Sequence, residues 1–199
     1  MRKLSYLIAT SIDGFIGDVD GEAEFFAKYV DEEYLQYGFA ELPEMLPTPA
    51  RRQFGIDDRP NRRYDAVLMG RATYEVGLPE VTSPYGHLKQ YVVSRSLKEA
   101  RGTEAEPGVD PEIEVISGDM VARVRELKAQ DGLDIWLCGG ADLAGQLVDE
   151  IDELVIKTYP CFLGSGMPLA KAGFAIREFA LESVKSFGNG VVITTYGRK

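Results

Sequence analysis

Strand-like apolar runs alternate with helix-like segments along most of the chain, and this alternation constrains the fold more than any other feature. KLSYLIAT (3–10) is a strand candidate rich in aliphatics, followed by the glycine-bearing loop SIDGFIGDVDG. DAVLMG (65–70) runs straight into a helix-like segment, and QYVVSRS (90–96) and IEVIS (113–117) are further short β-rich runs. LDIWLC (133–138) is a strand of the buried type, and ELVIKTYPCFL (153–163) is a long one. Between them, DMVARVRELKAQDG (119–132) sets Met120, Val121, Val124 and Leu127 on one helical face, with Ser117 or Asp119 to cap it and Gly132 to end it. ADLAGQLVDEI (141–151) does the same with Leu143, Leu147, Val148 and Ile151. The chain closes on a hairpin, FALESVKSFGNGVVITTYGRK, with Gly188-Asn189-Gly190 near its turn. This order predicts an α/β fold whose central sheet is mostly parallel, with an antiparallel C-terminal hairpin.

Two segments fit the alternation less simply. EAEFFAKYVDEEYLQYGFAEL (22–42) places Phe25, Phe26, Tyr29, Val30, Tyr34, Leu35 and Tyr37 at roughly helical spacing and predicts one helix with an acidic outer face. Residues 43–63 are polar, proline-rich and arginine-bearing, and read as an ordered insertion or flap. Either the flap is a solvated loop, or Arg51, Arg52 or Arg62 receives a phosphorylated substrate. Residues 101–112 read as a loop. With 199 residues, 45% of them hydrophobic, the chain has enough core for one domain and little to spare for a second.

Charge and composition narrow the partners. Lys plus Arg total 22 against 32 Asp plus Glu, a net charge of -10. Such a surface repels phosphate backbones and anionic lipid, so neither nucleic acid nor membrane is an expected partner, while a local basic pocket still admits one anionic cofactor. No stretch approaches the roughly 18 apolar residues of a membrane span. The N-terminal apolar run is short and interrupted by Asp13, unlike a signal peptide. The expected location is cytoplasmic. Cys138 and Cys161 sit in apolar runs and read as buried free thiols rather than a disulfide or metal ligands. His87 is the only histidine and reads as a surface or structural one.

Neither standard phosphate fingerprint is present. GSGMPLAK (164–171) has Leu169 where a P-loop needs its second glycine, and CGGADLAG (138–145) has the wrong spacing for a dinucleotide-binding GxGxxG. Three strand ends remain. At LMGRATYE, Gly70 lets the backbone approach a ligand while Arg71 to Thr73 open a helix. At LCGGADLA, Gly139 and Gly140 do so ahead of Ala141. At VVSRS, Ser94, Arg95 and Ser96 offer two hydroxyls and a guanidinium. Helix starts present unpaired N–H groups to an anion, and an arginine's planar fork suits a phosphate monoester.

Together these segments resemble the dihydrofolate reductase superfamily, and more closely its branch typified by the reductase domain of the riboflavin-biosynthesis deaminase-reductase. IATSIDGFIG (8–17) resembles that branch's first strand and mobile loop, VLMGRATYE (67–75) its MGRxT[WY] segment, and YVVSRS and IWLCGGADLAGQLV its next cofactor segments. DELVIKTYPCFLGSGMPL (152–169) is similar to the riboflavin-type strand and its P-x-x-x-G-x-G-x-P continuation. The resemblance covers nearly the whole chain outside 43–63. It implies a dihydrofolate reductase-like three-layer fold and an NADPH-dependent reductase of a pyrimidine- or pteridine-like small molecule, resembling 5-amino-6-(5-phosphoribosylamino)uracil reductase; a homodimer is also possible. A non-catalytic nucleotide-binding protein or a dimer module that kept the fold is the alternative.

The resemblance also implies site roles. Arg71 would hold the 2′-phosphate with Ser94, Arg95 or Ser96, Gly70 would admit the cofactor, and Thr73 would cap or touch the pyrophosphate. Ala9, Ile16 and Gly17 would line the nicotinamide, while Gly139, Gly140, Ala141, Asp142 and Leu143 would meet the pyrophosphate and ribose. The peptide between the two glycines is typically cis in this superfamily. No carboxylate of the first helix is singled out for gripping a pterin, and Ala144 stands where dihydrofolate reductases place an aromatic residue. The chain holds no H-x-E with P-C-x-x-C deaminase signature. Hydride transfer asks little of side chains beyond positioning. If a proton donor is required, Asp13, Glu24 or a water could supply it.

Overall fold

In the computed structural model, which describes residues 1–100 and 110–199, one eight-stranded sheet runs through the chain. Its strands are β1 (Leu4–Ser11), β3 (Tyr64–Gly70), β4 (Lys89–Val93), β5 (Glu114–Ile116), β6 (Asp134–Gly139), β7 (Glu153–Tyr159), β9 (Phe179–Ser186) and β10 (Val192–Arg198), in the order β5-β4-β3-β6-β1-β7-β10-β9. The first six positions pair in parallel, and β10 and β9 close one edge antiparallel. Two short strands, β2 (Phe15–Gly17) and β8 (Met167–Pro168), pair apart from it. The hairpin turn falls at residues 187–191, around Gly188-Asn189-Gly190.

Side chains alternate across the sheet and build two cores. Leu7, Val67, Met69, Trp136 and Val155 face Phe26 and Tyr34; Leu4, Tyr6, Leu68, Ile135 and Leu137 face α5 (Met120–Lys128) and α6 (Ala141–Gln146) through Val124, Leu127, Leu143 and Leu147. A sheet covered on both faces accounts for strands that read as continuous apolar runs. The three-layer expectation holds. Asp119 is the cap of α5, accepting from Ala122 N at 3.0 Å.

The segment expected as one helix over 22–42 is two pieces. Glu24–Tyr29 is a 3-10 turn, and α1 (Glu32–Glu41) begins anew behind Asp31, whose carboxylate accepts from Tyr34 N at 2.9 Å. A capping aspartate inside an apolar periodicity stops one helix and starts another. Residues 43–63 are no solvated flap. A 3-10 turn (Pro43–Met45) and α2 (Thr48–Gln53) order them around Arg51, which is 1% exposed and donates to the carbonyls of Pro43, Asp57 and Arg59. Arg62 donates to Ala40 O and pairs with Glu41. Of the three arginines considered for a substrate, Arg51 is committed to backbone carbonyls and Arg62 to Ala40 O and the Glu41 carboxylate.

Several bounds are shorter than the sequence implied. α6 stops at Gln146 and β7 at Tyr159, while β4 ends at Val93 so that Arg95 opens α4 (Arg95–Ala100). Most of the loop expected over 101–112 lies outside the described residues. Cys138 and Cys161 are free but only partly buried, and His87 is a structural residue whose Nε2–H meets Glu44 O at 3.0 Å.

Candidate active site

The site lies where β3 and β6 end side by side. β3 leads into α3 (Arg71–Glu75), whose Tyr74 joins the Phe26 core, and β6 leads into α6, whose Leu143 joins the other core with Leu147 just past the helix end. The two connections diverge to opposite faces, which opens a crevice at the strands' carboxyl ends.

Glycines line that crevice. A side-chain carbon at Gly70 would stand in ordinary contact with Gly139 O, 3.5 Å away, so the two strand ends lie side by side. Gly139 has φ +115°, a left-handed conformation that excludes ordinary side chains, and its peptide to Gly140 is cis. Thr73 Oγ1 and Met167 Sδ border Gly140. The leading N–H groups of α3 and α6 have no acceptor within their own helices.

At the outer end, Arg71 Nη1 donates to Ser96 Oγ at 2.5 Å and its Nε to Glu75 Oε1 at 2.5 Å. Ser94 Oγ lies 3.4 Å from Ser96 Oγ and accepts from Leu97 N at 3.0 Å, capping α4. Arg95 is exposed. The fold thus gathers one guanidinium and two hydroxyls from α3 and the start of α4.

The loop after β1 forms the upper wall. Ile16 and Gly17 are buried in β2, and Gly17 pairs with Met167. Gly166, at φ +155°, passes so close to Gly17 that a side-chain carbon there would collide with Gly17 O. Leu169 N donates to Gly14 O at 3.0 Å and Lys171 N to Ala141 O at 2.9 Å. Residues 163–171 therefore strap the loop to the start of α6, where exposed Asp142 pairs with Lys171 at 3.0 Å. Ala141 and Leu143 are buried. Ala9 sits on β1, packed toward the Phe26 core.

The proposed proton donors fall apart in space. Asp13 holds the 162–164 turn, accepting from Ser11 Oγ at 2.6 Å, Leu163 N at 3.1 Å and Gly164 N at 2.7 Å. Desolvation acts to raise its pKa, but these bonds outweigh it and keep the carboxyl below its usual range. Glu24 is exposed at the start of the 3-10 turn. Sequence reading passed over Met167, Glu75 and Lys157. The only signal for Lys157 was a lone cation inside the apolar run ELVIKTY.

Residues 2–193 match the RibD C-terminal domain. The chain is 28% identical over 193 residues to the uncharacterized protein YwjB of Bacillus subtilis, covering 96% of this chain and 95% of that one. A crystal structure from Shewanella sp. PV-4, provisionally assigned to riboflavin biosynthesis, superposes with a TM-score of 0.71 at 25% identity over 100% of this chain and 99% of its own. The Thermotoga maritima diaminohydroxyphosphoribosylaminopyrimidine deaminase/5-amino-6-(5-phosphoribosylamino)uracil reductase superposes with a TM-score of 0.63 at 15% identity, over 100% of this chain and 57% of its own. No helix among the described residues is long and apolar enough to cross a membrane.

Proposed function

The chain belongs to the RibD C-terminal domain family, and from that premise we propose that it is an NADPH-dependent reductase of a pyrimidine- or pteridine-like small molecule. The observation that carries this reading is the contact of Gly70 with Gly139 at the switch point, with Arg71 and Ser96 joined at its outer end.

The residues present fit such a cofactor. Bare glycine backbone leaves room for a pyrophosphate against the helix starts. The donors at the outer end are cationic and hydroxylic, which suits a phosphate monoester; a ribose diol is usually met by a carboxylate. Glu75 reduces the net charge there, but its bond to Nε fixes the guanidinium plane and leaves the Nη edge toward Ser96. Reduced nicotinamide supplies a hydride when bound. The chain's part is to hold the reactants in register and keep water out. Ala9, Ile16 and Gly17 supply a small, apolar lining for that purpose, and the 163–171 strap keeps the loop bearing two of them in place.

The reductase activity for which the Thermotoga protein is named makes 5-amino-6-(5-phosphoribosylamino)uracil the first substrate to try. The founding test is dinucleotide binding. Wild type should bind NADPH at least tenfold more tightly than NADH, and Arg71→Ala should lose that preference, since a hydrogen-bonded charge contributes about 1.5–3 kcal/mol. A wild type that binds neither dinucleotide ends the reductase reading.

A further inference from the structure

Lys157 is a cation that the crevice described above leaves unused. It stands on β7 between Val155 and Tyr159, on the face packed toward Phe26, and its register partners are Ala9 on β1 and Ile193 on β10. One same-face position separates it from the carboxyl end of the strand. An ammonium inside a sheet is costly unless a counter-charge meets it. Here the nearest partner is the Met45 thioether, 3.9 Å from Nζ.

The charged neighbours are occupied elsewhere. Glu44, next to Met45, accepts through Oε1 from the amides of Arg62, Arg63 and Tyr64, and its buried Oε2 meets no hydrogen-bond donor among the described residues. Glu153, at the far end of β7, is held by Arg63 and Lys3. Among the described residues no carboxylate forms an ion pair with Lys157. Titratable groups on this face include the Cys138 thiol, the Tyr85 phenol against it, and the phenols of Tyr34, Tyr37 and Tyr159. Burial raises the pKa of every one, the thiol to about 11, so all are neutral near pH 7. Burial also draws Lys157 down to about 8, with Cys138 opposing. Lys157, opposite Ala9 in the strand register, thus carries an ammonium that no carboxylate pairs among the described residues, protonated at neutral pH and ready to release its proton.

We propose that Lys157 is the proton donor of the reduction, and that the substrate is one whose reacting bond is a polar C=O or C=N. This rests on the reductase reading. As the carbon of that bond gains its hydride, its oxygen or nitrogen forms a bond to the proton leaving Nζ. The neutral amine takes a proton back from water once product has left. The thiol and the phenols hold their protons too tightly for this step, and Asp13 has none to give at neutral pH. A lysine tuned toward neutrality is matched to it.

The first test needs no turnover. Protein labelled with 13C at the lysine Cε atoms is titrated, and the resonance missing from Lys157→Met identifies this residue. A midpoint near 8 is expected; a midpoint at the ordinary 10.5 overturns the proposal, whatever substrate the enzyme accepts. The second uses NADPH with 5-amino-6-(5-phosphoribosylamino)uracil. Wild-type kcat should fall tenfold per pH unit above about 8. Lys157→Met should lose on the order of 10²-fold in kcat, and the alkaline limb with it, while NADPH affinity is unchanged. Lys157→Arg keeps the charge and should not restore kcat. Met replaces a half-buried cation with an apolar chain of similar length, so the variant should fold. If Lys157→Met keeps wild-type kcat and its alkaline limb, this inference fails and the reductase reading stands. If wild type binds no dinucleotide, both fall together.

Discussion

The Arg71 guanidinium and the Ser96 hydroxyl, 25 residues apart in the chain, meet at 2.5 Å across the carboxyl ends of β3 and β4. The parallel pairing of those strands, Gly70 opposite Val93, brings them there. If the pair reads a 2′-phosphate, Ser96→Ala removes one donor from a charge-assisted cluster. NADPH affinity should fall about fivefold to tenfold, from the ~1 kcal/mol of a typical hydrogen bond, with NADH affinity unchanged. Calorimetric titration of both dinucleotides checks this; an equal loss for both would mean that Ser96 does not discriminate.

Gly166 and Gly17 pin the upper wall of the crevice. A side-chain carbon at Gly166 would strike Gly17 O, and its φ of +155° is strained for any other residue. Gly166→Ala should therefore lower stability by at least ~2 kcal/mol. Gly173→Ala, where a Cβ meets nothing within 4 Å, should stay within ~0.5 kcal/mol of wild type. Urea unfolding of the two variants gives the comparison.

Arg51 is structural, so its replacement should cost fold rather than ligand. Arg51→Met strips hydrogen bonds from three carbonyls, those of Pro43, Asp57 and Arg59, at 2.6, 3.3 and 2.7 Å. Buried acceptors left bare and a broken charged network amount to about 3 kcal/mol. Exposed Arg52→Ala should change stability by less than ~0.5 kcal/mol. Equal denaturation midpoints for the two variants would contradict the organising role of Arg51.

Asp13 links stability to acid pH. Its folded-state pKa lies below the ordinary 3.8 despite desolvation, because Ser11, Leu163 and Gly164 donate to it. The stability it adds is present above 3.8 and is lost as pH falls through the lower folded-state value. Asp13→Asn removes the titration, so its Tm should decline less steeply than that of wild type below 3.8. Parallel Tm curves in that range would show that the carboxylate is not coupled to folding.

Much of the fold was legible because its determinants are local. Apolar runs bounded by glycine marked β1, β3 and β6, and Asp119 marked the start of α5. The glycine turns of the crevice were visible for the same reason. The 22–42 segment misled because Phe25, Phe26, Tyr29, Tyr34 and Tyr37 do face one core, yet from two separate elements joined at Asp31. For residues 43–63, expected as an ordered insertion or flap, only the solvated-loop alternative failed, because polarity signals solvent unless a buried guanidinium consumes the segment's own carbonyls.

Sequence alone determined the strand–helix alternation, the antiparallel finish and the glycines that leave backbone bare, since each follows from the conformational preferences of residues close together in the chain. Strand order belongs to the tertiary structure. It slots β6 between β3 and β1, so that Gly70 meets Gly139, and it sets Ala9 beside Lys157 at a separation of 148 residues. Those contacts depend on which apolar faces bury against which, a balance struck over the whole core. The same packing shields Lys157 from carboxylates and Arg51 from water, and so gives two cations of one sequence opposite standings toward the site.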